Sequence, residues 1–77
     1  MDDIAIRIVE NYIDGDGEWL ETYETYIVWK CKTLQNWKYL ISTNRMDGMY
    51  YELTYNGDKD EWYLDAYRKM DNRVITL

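Results

Sequence analysis

The hydrophobic residues near the N-terminus repeat with the period of an α-helix. Six apolar side chains of residues 3–13, "DIAIRIVENYI", fall on one stripe: Ile4, Ala5, Ile8, Val9, Tyr12 and Ile13. A strand would instead group Ile4, Ile6 and Ile8, but the alternation fails from Val9 onward. The pattern therefore favours a helix, with Asp2 or Asp3 placed to cap its start and Gly15 placed to end its last turn.

Two segments in the middle of the chain are rich in β-branched and aromatic residues, which is typical of β-strands. Residues 23–32, "YETYIVWKCK", predict a strand with one face formed by Tyr23, Thr25, Ile27, Trp29 and Cys31. Residues 37–43, "WKYLIST", predict the returning strand, with Trp37, Tyr39 and Ile41 on one face. "TLQN" and the Asp-Gly pair of "NRMDG" predict the turns that follow the two strands.

Residues 50–67, "YYELTYNGDKDEWYLDAY", predict a hairpin around an Asn-Gly pair. A two-residue turn would set Leu53 against Asp60 and Glu52 against Glu61, which is unfavourable for both pairs. A four-residue loop at residues 56–59 makes one face apolar, so we expect the register that it produces: Leu53 with Trp62, Tyr51 with Leu64 and Met49 with Ala66.

These elements predict an α+β fold in which an N-terminal helix packs on a four-stranded antiparallel meander. The 77 residues suffice for one domain, so we expect residues 1–77 to form a single domain. One alternative stays open. A helix beginning near Asp60 would also align an apolar stripe, formed by Tyr63, Ala66, Tyr67, Met70 and Val74.

The composition argues against conventional catalysis. The chain has no histidine, which is the usual general base and the commonest transition-metal ligand, and it has a single cysteine, Cys31. We therefore expect a non-enzymatic protein without a cofactor, and a buried, unreactive Cys31 thiol. Because the chain has no signal peptide, no membrane-length apolar run and no possible internal disulfide, the expected location is the cytoplasm, away from membranes.

The net charge of −6 is distributed in blocks. Residues 1–24 hold eight acidic residues and one basic residue, whereas residues 25–45 hold four basic residues and no acid. Within the first block, "NYIDGDGEWLE" resembles a calcium loop. Counting an EF-hand from Asp14 places Trp19 at position 6, where glycine is needed, and Thr25 at position 12, where glutamate is needed. Counting from Tyr12 places Gly17 at position 6 but tyrosines at positions 1 and 12. We interpret it as a solvated connection. A weak oxygen site for calcium remains an alternative, with Asp14, Asp16, Glu18 and Glu21 as its ligands.

The basic block suggests a second class of function. Lys30, Lys32 and Lys38 alternate with aromatic residues, as in small β domains that bind single-stranded nucleic acids by stacking and by phosphate contacts. The overall negative charge opposes phosphate binding, and the predicted faces separate the tryptophans from the lysines. Nucleic-acid binding is therefore the alternative hypothesis.

Two stretches, "VWKCKTLQNWKYLIST" and "DGMYYELTYNGDKDEWYLDAYRKMDN", carry a resemblance to known sequences. They resemble a family of small uncharacterised proteins encoded by phages and prophages of Gram-positive bacteria. The most specific parts are "KTLQNWK", "DGMYYELTYNGDK" and "YLDAY". The resemblance implies a phage product acting in the bacterial cytoplasm, and it implies no activity or catalytic residue.

Together, these features predict a binding module that inhibits or modulates a host or defence protein that handles nucleic acid. Acidic side chains would occupy a basic groove of that partner as phosphates do: Asp3, Glu10, Asp14, Asp16, Glu18 and Glu21.

The second sheet face, which the helix does not cover, is the other expected contact surface, either for the foreign partner or in a homodimer. The predicted registers place Tyr26, Val28 and Leu40 there among Lys30, Lys32 and Lys38. They also place Tyr50, Tyr63 and Tyr67 there, among Glu52 and Asp65.

Overall fold

A computed structural model describes residues 1–15 and 23–76. Its elements are one helix, α1 (Asp2–Gly15), and four strands: β1 (Thr25–Thr33), β2 (Asn36–Thr43), β3 (Met49–Asn56) and β4 (Glu61–Arg68). The strands form one antiparallel sheet in the order β1-β2-β3-β4. The predicted α+β fold is therefore confirmed, and the last segment is a strand rather than the alternative helix.

The buried stripe of α1 follows a single i, i+4, i+8 row. Ala5, Val9 and Ile13 are at most 2% exposed, whereas Ile4 and Tyr12, which the pattern also assigned to the stripe, are 45% and 42% exposed. The row packs on four buried side chains of the central strands: Tyr39, Ile41, Tyr51 and Leu53. Ile4 and Tyr12 flank this row, so only the middle of the stripe faces the sheet.

Hydrogen bonds join both ends of α1 to the sheet side of the molecule. At the first turn, the Asp2 carboxylate accepts the Tyr39 hydroxyl at 2.8 Å and contacts the Lys30 ammonium at 2.7 Å. At the last turn, Asp14 accepts the Tyr23 hydroxyl at 2.8 Å. Asp2 lies inside the helix, and its carboxylate acts as a link to the sheet rather than as the predicted cap.

A β-bulge changes the faces of β1. The register with β2 shifts between Ile27 and Trp29, so Ile27 pairs with Ile41, but Trp29 pairs with Leu40. Residues paired across strands share a face. The prediction that Trp29 and Cys31 share the core face was therefore wrong. Both lie on the opposite face, and Cys31 is exposed rather than buried.

The β3–β4 loop occupies residues 57–60, one position later than predicted. The pairs are Leu53 with Leu64 and Tyr51 with Ala66, so the predicted register was wrong by two residues. Asn56 ends β3 because its side-chain oxygen accepts the backbone N–H groups of Asp58 at 3.1 Å and Lys59 at 3.4 Å. A shift of two residues preserves the faces, so the predicted apolar face of this hairpin is still the one that packs.

Candidate protein-binding face

The sheet has a second face that α1 does not cover, which we call the open face. Alternate residues of the four strands form it, and the registers arrange their side chains in rows across the sheet. The bulge adds Val28 beside Trp29 on this face. Three of these rows cross all four strands: Tyr26–Ser42–Tyr50–Tyr67, Trp29–Leu40–Glu52–Asp65 and Cys31–Lys38–Thr54–Tyr63.

Five large apolar or aromatic side chains of the open face are about half exposed. Their exposed fractions are 49% for Tyr26, 45% for Val28, 44% for Trp29, 47% for Tyr63 and 53% for Tyr67. Leu40 and Tyr50 lie between them and are partly buried. The four tyrosines that the sequence assigned to partner contact thus share this face. Trp29 also lies here, and sequence reasoning missed it because alternation alone does not reveal a bulge.

The charges of the open face lie mainly on β3 and β4. Lys38, the basic residue of this face, forms an ion pair with Glu52 at 3.2 Å. On β4, Asp65 is exposed, and Glu61 accepts a hydrogen bond from the Tyr63 hydroxyl. This bond raises the pKa of Tyr63, because the carboxylate stabilises the protonated hydroxyl. The face therefore combines aromatic area with an acidic margin along one edge strand.

The acidic residues proposed for partner contact are only partly free for it. The Glu10 carboxylate lies 3.4 Å from the Thr25 hydroxyl, and Asp14 accepts the Tyr23 hydroxyl. The first contact joins α1 to the start of β1, and the second joins it to the segment just before β1. Asp16, Glu18 and Glu21, and with them most of the weak calcium site, lie outside the described residues. Asp3 is exposed.

The three lysines of the nucleic-acid hypothesis do not form one surface. Lys30 contacts Asp2 on the side of α1, and Lys32 lies on the same side, 5.3 Å from the ring centroid of Trp37. Lys38 lies on the open face. A single strand following phosphate contacts would need to reach both faces of the sheet, so this arrangement gives the hypothesis no geometric support.

Two tyrosine hydroxyls beneath and beside α1 have raised pKa values. Burial raises the pKa of Tyr39 to about 12, and its hydrogen bond to Asp2 acts in the same direction. Burial, followed by the hydrogen bond to Asp14, raises the pKa of Tyr23 to about 12. The Asp2 pKa is lowered, first by Lys30 and then by Tyr39. These hydroxyls are held protonated as structural links at neutral pH.

A cleft of about 250 Å3 lies at the end of α1, on the side away from the open face. Arg45 in its wall contacts Asp47 at 3.0 Å and lies 5.8 Å from the ring centroid of Tyr23. The lining residues are Tyr12, Ile13, Arg45, Asp47, Met49, Tyr51 and Arg68. The sequence carried no signal for this cleft, because its walls come from three separate segments.

Within residues 1–15 and 23–76, no helix is long and apolar enough to cross a membrane. Nor do three or more cysteine, aspartate or glutamate side chains come together there in a way that would hold a metal ion.

Comparison with known families matches residues 2–77 to a model described as "Family of unknown function (DUF6275)". The chain belongs to this family. Searches of the curated proteins and of the solved structures found no match.

Proposed function

We propose that this DUF6275 protein is a small, acidic, non-enzymatic module that binds another protein through its open face. In this proposal it is a phage product that acts in the bacterial cytoplasm. There it inhibits or modulates a host or defence protein that handles nucleic acid.

The exposure of the open face is the observation that supports this proposal most strongly. Five large side chains on one sheet face are each 44–53% exposed, and they surround the partly buried Leu40 and Tyr50. Large exposed side chains gathered on one face, with polar residues among them, are more typical of interaction sites than scattered exposed residues are. Tyrosine and tryptophan suit such a surface because each combines a large apolar area with a polar group.

The hydrophobic core that stabilises the fold lies on the opposite side of the sheet from the open face. The buried core lies between α1 and the central strands, and every buried large apolar side chain of the described residues belongs to it. The open-face tyrosines contribute little to that core. Their clustering is therefore better explained by recognition than by stability.

The charge of the molecule favours a basic partner. The chain carries a net charge of −6, and on the open face Asp65 and Glu61 are exposed along β4. A protein that handles nucleic acid presents a basic surface, which complementary acids can approach and orient. The resemblance to phage proteins supplies the biological setting of the proposal.

A capture experiment with matched variants tests the proposed face. The wild-type protein, Tyr63→Ser/Tyr67→Ser and Tyr12→Ser would each be used as bait in bacterial lysate at low and moderate salt. Tyr12 is the control because it is 42% exposed but lies on the side of α1. We expect the wild type and the control to retain one stoichiometric protein partner and the double variant to lose it.

Circular dichroism separates lost binding from lost folding. Because Tyr63 and Tyr67 are half exposed, the double variant should keep the wild-type spectrum. Recovery of no stoichiometric partner by the wild type, or equal recovery by the folded double variant, would contradict the proposal.

A further inference from the structure

The two edge strands of the sheet differ in how they are protected. β1 is interrupted by the bulge and carries Lys30 and Lys32, and both features discourage the addition of another strand. β4 pairs with β3 without a register shift along its whole length, Glu61–Arg68. Its outer backbone groups therefore form a regular template for strand pairing that no bulge interrupts.

The segment that follows β4 is exposed and apolar. Residues 69–76, which we call the tail, form neither helix nor strand. Met70, Val74 and Ile75 are 88%, 96% and 78% exposed. The tail is joined to the sheet where the Lys69 N–H donates to the Gly48 carbonyl at 2.7 Å. Beyond that point, its large apolar side chains extend into solvent.

We infer that the tail of one copy pairs as a fifth strand with β4 of a second copy, and that the exchange is reciprocal. Val74, Ile75 and Thr76 are β-branched and suit an extended strand. Successive residues of such a strand point to opposite faces. Either Val74 or Ile75 would extend the open face beside Tyr63 or Tyr67. The other would cover the opposite face of β4, where Ala66 is exposed.

Charge complementarity supports β4 as the site of pairing. β4 carries Glu61 and Asp65 and ends at Arg68, a net charge of −1. The tail carries Lys69, Asp71 and Arg73, a net charge of +1, and Arg73 contacts Asp71 at 2.6 Å. A twofold exchange pairs each tail with an acidic edge and leaves no unpaired copy, so the assembly closes as a dimer. Pairing of the tail with its own β4 would require a sharp reversal directly after Lys69, whose N–H still donates to the Gly48 carbonyl. The structure instead shows the tail leaving the sheet.

Light scattering coupled to size exclusion tests this inference with the full chain over a range of concentrations. We expect the wild type to have twice the mass of one chain. Val74→Pro/Ile75→Pro removes two backbone N–H groups, and we expect it to weaken the dimer about 100-fold or more and to elute as a monomer. The control Val74→Thr/Ile75→Thr keeps these groups and the β-branched shape, so it should retain a measurable dimer. A synthetic peptide of residues 69–77 in excess should dissociate the wild-type dimer.

Two results would overturn the inference. A wild-type protein that is monomeric at every concentration would exclude the exchange. This holds also if the tail of that monomer pairs with its own β4. A dimer that survives both the proline variant and the peptide would show that another surface, such as the open face, holds it together. The inference goes beyond the proposed function. The proline variant leaves every open-face residue unchanged, so either proposal can fail without the other.

Discussion

The two faces of the same sheet differ in burial, although they are built from alternate residues of the same strands. On the side of α1, Tyr39, Ile41 and Leu53 are completely buried. On the open face, Tyr26, Tyr63 and Tyr67 keep about half of their surface exposed. Both faces are aromatic, so composition does not distinguish them. The position of one short helix determines which rings are buried in the core and which remain exposed.

The largest expected difference between the faces is in stability. Leu53→Ala removes a fully buried side chain beneath α1, and it should lower the free energy of unfolding by about 2–5 kcal/mol. Leu40→Ala makes the same chemical change on the partly buried open face, and it should cost less than about 1 kcal/mol.

Urea unfolding followed by circular dichroism measures both variants. Equal losses of stability would show that the open face is a second core, and the division between the faces would then be wrong. A loss of stability for Leu53→Ala well below the expected range would instead mean that α1 does not cover the apolar face of the sheet.

The strand order and most face assignments could be predicted from the sequence. The alternation of apolar residues indicates which side chains of a strand lie on the same face of the sheet. Tyr50, Tyr63 and Tyr67 reached their predicted face even though the β3–β4 register was wrong by two residues. The bulge after Ile27 could not be predicted, since one inserted residue leaves the local composition unchanged. It moved Trp29 and Cys31 to the open face and Lys30 and Lys32 to the other.

The hydrogen bonds of the helix were also beyond sequence reasoning. Asp14 and Glu10 look like solvated acids in the sequence, but they contact Tyr23 and Thr25, which are distant along the chain. Such pairs depend on where the helix axis lies over the sheet. Residue pattern alone indicates that the helix packs, but not which of its polar groups meet the strands.

A smaller difference between the faces concerns tyrosine hydroxyls. Tyr39→Phe removes the hydrogen bond to Asp2 but keeps the buried ring, so it should cost about 1 kcal/mol at neutral pH. Tyr26→Phe on the open face removes a hydroxyl with no partner among the described residues, and it should change stability by less than about 0.5 kcal/mol. Thermal unfolding of the two variants compares them directly, and equal effects would contradict the linking role of Tyr39.

The same hydroxyl gives a pH dependence. The folded-state pKa of Tyr39 is raised from 10.0 to about 12, so its contribution is fully present below pH 10. As the pH rises from 10 towards 12, the unfolded chain loses this proton first and stability falls. Tyr39→Phe should therefore lose less stability than the wild type over this interval. A variant whose alkaline loss equals that of the wild type would show that Tyr39 does not contribute to it.

The smallest expected effect concerns nucleic-acid binding. Because the lysines lie on different faces of the sheet, we expect oligonucleotides to cause almost no change in fluorescence. A fluorescence titration with short single-stranded oligonucleotides at about 50 mM salt favours electrostatic contacts. We expect no binding there, because Lys30 and Lys32 lie on the side of α1, whereas Lys38 is paired with Glu52 on the open face. Binding that weakens steeply with salt and is lost in Lys30→Gln/Lys32→Gln/Lys38→Gln would contradict this expectation. It would show that one strand can reach both faces, and the open face would then no longer be the favoured site of recognition.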